Sequence, residues 1–133
     1  LGHILVLTIP MEGHTKGSTG FYLKEDKILV VADATCPFVW LFLDESTTVS
    51  TYITMLERIL KLDFNYILLG HGQGKLLPKS KVYDFLEVAR HIDLKSSVKV
   101  SFKNFEDSNS YCYTNGIMYN QDDTGIVFDP NKL

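Results

Sequence analysis

Gly13-His14-Thr15, Asp33 at the end of Ile28-Leu29-Val30-Val31-Ala32, and Gly70-His71-Gly72 are short segments in which chemically capable side chains follow apolar runs. Two imidazoles and a carboxylate are hard-to-borderline donors. On three separate loops they are expected to form a zinc or iron site once the loops converge. Taken singly, each is an ordinary loop residue: a hydrogen-bonded histidine, a turn-forming aspartate, a histidine between glycines that permit tight turns. The combination carries the expectation, because all three follow strand-like runs, and α/β folds build their sites at strand ends.

Other motifs fail on inspection. Gly70 to Lys75 reads G-H-G-Q-G-K, one residue too few for a phosphate-cradling Walker loop. Leu76 stands where a hydroxyl should meet magnesium. Gly70-His71-Gly72-Gln73-Gly74 lacks the central serine of a nucleophile elbow. Lys75 remains a candidate for contacting a substrate anion. His3 has no supporting context, and His91, near a helix end, suits a dipole partner. Cys36 and Cys112 lie far apart, form no Cys-x-x-Cys pair, and fit two reduced thiols of a cytoplasmic protein.

The rest of the composition narrows the function class. At 133 residues, with 45% hydrophobic and 12% aromatic residues, the chain has the make-up of one folded domain. A net charge of −3 and scattered Lys and Arg offer no basic stripe for nucleic acid. No apolar run approaches the roughly 20 residues of a membrane helix. The chain does not begin with Met and opens within a strand-like run. It is expected to be a piece of a longer protein.

Several elements are needed to hold these loops. Ile4 to Ile9 reads as a buried strand stopped by Pro10. Residues 19–23 and 27–32 form a hairpin turning at Glu25-Asp26. Phe38 to Leu43 is apolar and fits either type of element. Ser46 or Thr47 caps a helix to about Leu62, with Ile53, Leu56, Ile59 and Leu60 at helical spacing. Tyr66 to Leu69 is a short strand. Ser80 caps a second helix through Ile92, with Val82, Phe85, Leu86 and Ala89 inward. Residues 98–102, 111–113, 117–119 and 125–128 read as short strands, with turns at Asn115-Gly116 and Gln121-Asp122-Asp123. Residues 1–95 are thus one α/β unit, and residues 96–133 a β-rich extension packed on it.

From Leu5 to about Ile92, this order resembles the C-terminal half of a metallo-β-lactamase-fold hydrolase. The likeness is carried by Glu12-Gly13-His14-Thr15-Lys16-Gly17-Ser18, by Val30-Val31-Ala32-Asp33, and by Ile67-Leu68-Leu69-Gly70-His71-Gly72. It implies half of a four-layer αβ/βα sandwich: a mixed sheet with helices on one face, followed by a short β-rich tail. It also implies roles. His14 would ligate a first metal, Asp33 would bridge two, and His71 would ligate the second. The implied cofactors are two divalent ions, zinc or alternatively iron or manganese. They would activate water for hydrolysis of an ester, thioester, lactone or related bond. Thr15 and Ser18 are candidates to orient the ligating imidazole. The sequence departs from the pattern at Glu12, where many relatives carry proline, and at Ala32, where glycine is usual.

The resemblance also implies what this chain does not hold. The family's His-x-His-x-Asp-His string supplies the other ligands, and no such string occurs here. The expected partner is therefore the N-terminal half of the same domain, and metal would be weakly held without it. A half-sandwich should also expose an apolar sheet face. Ile4, Val6, Phe21, Leu23, Leu29 and Val31 include candidates for it, with the inward parity left open. Self-association is expected through that face. Two other readings stay open: a non-catalytic half-domain serving assembly, and a di-iron redox site using the same ligands.

Overall fold

A computed structural model describes residues 2–71 and 74–133, so Gly72 of the Gly-His-Gly motif lies outside the described residues. In chain order the elements are β1 (Val6–Pro10), β2 (Thr19–Leu23), β3 (Ile28–Ala32), β4 (Phe38–Leu41), α1 (Val49–Leu60), β5 (Tyr66–Leu69), β6 (Leu76–Pro78), α2 (Ser80–Arg90), β7 (Val98–Val100), β8 (Ser110–Thr114) and β9 (Gly125–Phe128). They form two mixed sheets. The first runs β1-β2-β3-β5-β6, antiparallel except between β3 and β5, which α1 joins by a crossover. The second runs β4-β9-β8-β7, with β4 parallel to β9.

Residues of the β-rich tail therefore build a sheet whose edge strand is β4, the apolar run whose type the sequence pattern left open. A strand buried on one face by aliphatics and on the other by aromatics shows no polar alternation. Only its partner β9, far downstream, decides its conformation. One core joins the inner face of the first sheet (Tyr22, Leu29, Val31, Ile67, Leu69), both helices, and Val39, Leu41, Ile126 and Phe128 of the second sheet. A smaller core lies on the other face of the second sheet, where Phe42, Cys112 and Val127 meet Phe38, Trp40 and Phe102.

Parity in the first sheet is settled by this packing. Leu29 and Val31 point inward, leaving Val6, Phe21 and Leu23 on the outward face. Cross-strand partners extend that face as two rows: Thr8-Phe21-Val30-Leu68-Leu76 and Val6-Leu23-Ile28-Tyr66-Pro78. Every member except Thr8 is apolar, and Val6, Phe21, Tyr66 and Leu76 are each at least 40% exposed.

Several local expectations are corrected. The cap of α1 is Thr48, whose hydroxyl accepts from the Thr51 N–H. The hydroxyls of Ser46 and Thr47 are engaged with the carbonyls of His14 and Gly13 instead. Ser80 is the first residue of α2 rather than its cap. Lys79 before it already has helical backbone angles, with no side-chain cap. Residues 117–119 are not a strand. The Ile117 N–H bonds to the Asp123 carboxylate and the Asn120 N–H to the Ile117 carbonyl, folding the segment into turns with Ile117 exposed. The edge strand β6 lacks a sequence signal, being three residues long and ending on proline.

Candidate functional site

The loops after β1, β3 and β5 carry His14, Asp33 and His71. Each is held by a different device. The His14 loop is gripped by residues 43–48. The Thr47 N–H donates to the Gly13 carbonyl at 2.9 Å, the Ser46 hydroxyl to the His14 carbonyl at 2.7 Å, and the Lys16 N–H to the Glu45 carbonyl at 3.0 Å. Lys132 Nζ reinforces this stretch by donating to the Ser46 carbonyl at 2.6 Å. From α1, Arg58 forks onto the Glu12 carboxylate at 2.8 and 2.9 Å. That hydrogen-bonded pair holds the Glu12 carboxyl below its ordinary range. The two departures from the resembled pattern, Glu12 and Ala32, thus sit where the loops are pinned.

Asp33 begins a single tight helical turn directly after Ala32, whose backbone has φ +48° and ψ −123°. The β3–β5 register slips between Val30 and Ala32. This re-aims the chain at the end of β3. Gly70 passes so close that a Cβ there would lie 3.1 Å from Asp33 Oδ1. His71 Nε2 reaches the same carboxylate oxygen at 2.9 Å, with the imidazole largely exposed.

His14 lies beside this pair. Its Nδ1 is 2.9 Å from the Trp40 carbonyl oxygen. A carbonyl can only accept, so Nδ1 carries the hydrogen and Nε2 is left as the lone-pair donor. Thr15 and Ser18 do not take this hydrogen. Their hydroxyls bond to each other at 2.9 Å, and the Thr15 N–H bonds to Ser18 Oγ, closing the loop on itself.

One cavity of about 290 Å³ is lined by His14, Asp33, Cys36, Phe38, Trp40 and His71. A second, of about 260 Å³, shares His14 and Asp33 and adds Thr15 and Ser18. The three candidate ligands thus face common space, whereas Lys75 is exposed and outside the described lining. A larger cavity elsewhere, bordered by Phe42, Phe105 and four carboxylates, contains neither imidazole. Burial, and secondarily the charge of Asp33, pushes the Cys36 thiol up to about 11, so it is neutral at pH 7.

The donor types suit a divalent cation, but the number is short. Among the described residues, no three His, Cys, Asp or Glu side chains stand close enough to hold one ion. A catalytic zinc ordinarily takes three protein ligands.

Three residues around the candidate site that the sequence pattern does not single out are Trp40 and Phe38, which line the cavity, and Tyr52, which braces it from behind. Trp40 and Phe38 alternate on β4, a period-two signal hidden by the apolar residues between them. Tyr52 lies on α1 and is fully buried, with its hydroxyl on Ala34.

No protein-family model matches the sequence, and no curated protein does. Solved structures do. A metallo-beta-lactamase family protein from Thermus thermophilus aligns over 65% of this chain and 31% of its own, at 18% identity and a TM-score of 0.55. A double mutant of the sec-alkyl sulfatase PisA1 aligns over 70% of this chain and 16% of its own, at 13% identity and a TM-score of 0.58. The chain spans less than a third of either structure. At these identities the likeness is one of architecture: the chain has part of the metallo-β-lactamase fold.

Proposed function

We propose that this chain supplies one part of the metal centre of a hydrolase acting on an ester, thioester, lactone or related bond. The observation that carries the reading is the cavity itself: two imidazoles and one carboxylate from three strand ends line it, and one imidazole is already oriented by its Nδ1, leaving Nε2 as the lone-pair atom. His14 would serve one ion, His71 another, and Asp33 both. When bound, divalent cations at such a site supply Lewis acidity and lower the pKa of a water toward neutrality.

The chain's own residues prepare that chemistry. The Trp40 carbonyl orients His14. Asp33 and His71 hold each other by hydrogen bond, which keeps both donor groups on the cavity. Since no three donors converge among the described residues, the remaining ligands would come from the segment that completes the sandwich. The same segment would cover the outward face of the first sheet. The short donor count also favours a second reading, in which the chain by itself acts in assembly.

Calorimetric titration with zinc tests the proposal. Weak binding is expected from the chain, falling at least about tenfold in His14→Ala and in His71→Ala while circular dichroism stays native. Zinc binding undiminished in both folded variants would overturn it and leave the assembly reading.

A further inference from the structure

The cavity that gathers the imidazoles has an apolar half made by Cys36, Phe38 and Trp40. The two rings stand on the same side of β4, two residues apart, and both are fixed from behind. Phe38 lies over Gly125, where a Cβ would collide with its ring, and its centroid is 5.2 Å from that of Tyr119. Trp40 packs against Phe102 at 4.7 Å and Phe42 at 5.0 Å between centroids. The backbone carbonyl of this same Trp40 takes the His14 Nδ1 hydrogen. One residue therefore sets both the orientation of a candidate ligand and the position of the wall beside it.

Rigid aromatic faces that offer no hydrogen bond discriminate among substituents. A polar group placed there would lose its water partners without replacement. A flexible alkyl chain would gain area at the cost of rotamer freedom. A flat ring keeps its area and adds favourable offset or edge-on contacts. A volume of about 290 Å³ is at the small end for ligand sites, room for one ring and the group being cleaved. We infer that Phe38 and Trp40 are specificity-determining residues, and that the site takes substrates carrying a single aromatic ring next to the scissile bond. This rests on the cavity being the reaction site.

Trp40 is the only tryptophan in the chain, so its fluorescence reports on this wall alone. The chain is titrated with phenylacetamide and with hexanamide, neutral probes of similar polarity, while Trp40 emission is followed. Zinc binding is measured on the same samples by calorimetry. Phenylacetamide is expected to shift the emission and bind about fivefold tighter than hexanamide. Phe38→Leu, which keeps apolar bulk but removes the ring, should bring the two probes to parity. Gly125→Ala, which dislodges the Phe38 ring from outside the cavity, should reduce the preference as well. Equal affinities in the unaltered chain, an emission that phenylacetamide leaves unchanged, or an undiminished preference in folded Phe38→Leu would each overturn the inference. Zinc binding without the aromatic preference sinks this inference alone. The preference without zinc binding sinks the metal reading and leaves the aromatic wall standing.

Discussion

The phenolic oxygen of Tyr52 lies 2.7 Å from the carbonyl oxygen of Ala34 and donates its hydrogen to it, deep inside the main core. The same ring fills the space beside Gly13, where a Cβ would approach Tyr52 Cδ2 to 2.6 Å. One side chain of α1 thus braces the turn that carries Asp33 and the loop that carries His14. Burial keeps its hydroxyl protonated far above the ordinary tyrosine range, so it remains a donor at any working pH. Tyr52→Phe leaves the Ala34 carbonyl unpaired and should cost about 1–2 kcal/mol in denaturant unfolding. It should also weaken zinc binding without removing a ligand. Gly13→Ala drives a methyl group into the ring and should cost about 1–3 kcal/mol. Stability unchanged in both variants would show that the two loops are held by other means.

Ala32 adopts a positive φ that an L-residue with a Cβ rarely takes, at the point where the chain leaves β3 for Asp33. Such a conformation stores about 1–3 kcal/mol of strain. Glycine adopts it freely, against a smaller loss from its extra freedom when unfolded. Ala32→Gly should therefore stabilise the fold by about 1 kcal/mol, raising the melting temperature by a few degrees. A lowered melting temperature would mean that the alanine methyl makes packing contacts that outweigh the strain. The usual glycine of the resembled family thus has a conformational reason visible in this backbone.

How much of this was legible in the sequence follows from how local each cause is. Strands β2, β3 and β5 could be read from apolar runs ended by turn residues, and the inner stripe of α1 from its spacing. His14 and His71 could be picked out because glycine and a strand end flank each, and Asp33 because it directly follows a strand end. The conformation of β4 was not, because it depends on β9. Neither was the cap of α1: Ser46 and Thr47 are good capping residues by type, yet tertiary contacts with Gly13 and His14 claim them. Thr15 and Ser18 carried the right chemistry to orient an imidazole. A carbonyl from β4 does so, and backbone carbonyls leave no mark in a sequence.

The Glu12–Arg58 pair gives a pH signature. Its hydrogen bonds hold the Glu12 carboxyl below its ordinary value of 4.5. A depressed carboxyl contributes stability that is present above the unfolded-state value and is lost as pH falls through the folded-state one. Glu12→Gln should therefore cost stability at pH 7, about 0.5–1 kcal/mol for a partly exposed bidentate pair. The unaltered chain and the variant should converge as pH falls below 4.5 and through the depressed folded-state value. A stability gap that persists unchanged after the carboxyl has been protonated in the folded chain would place the effect in packing rather than in charge.

The outward face of the first sheet predicts solution behaviour. Its two apolar rows cross all five strands, and Phe21, at 44% exposure, lies on β2, one strand in from the β1 edge, paired with Thr8 on one side and Val30 on the other. Apolar surface of this extent in water drives association, since burying it is favourable at about 25 cal/mol per Å². The chain alone should therefore self-associate in a concentration-dependent manner, measured by light scattering. Phe21→Lys places a charge inside the face and should shift the population to monomer, while circular dichroism and melting stay close to those of the parent, because Phe21 points away from the main core. Leu76→Lys, at the far edge of the same row, should have a smaller effect in the same direction. A chain that is monomeric at high concentration, or one whose association ignores both substitutions, would show that this face does not hold copies together.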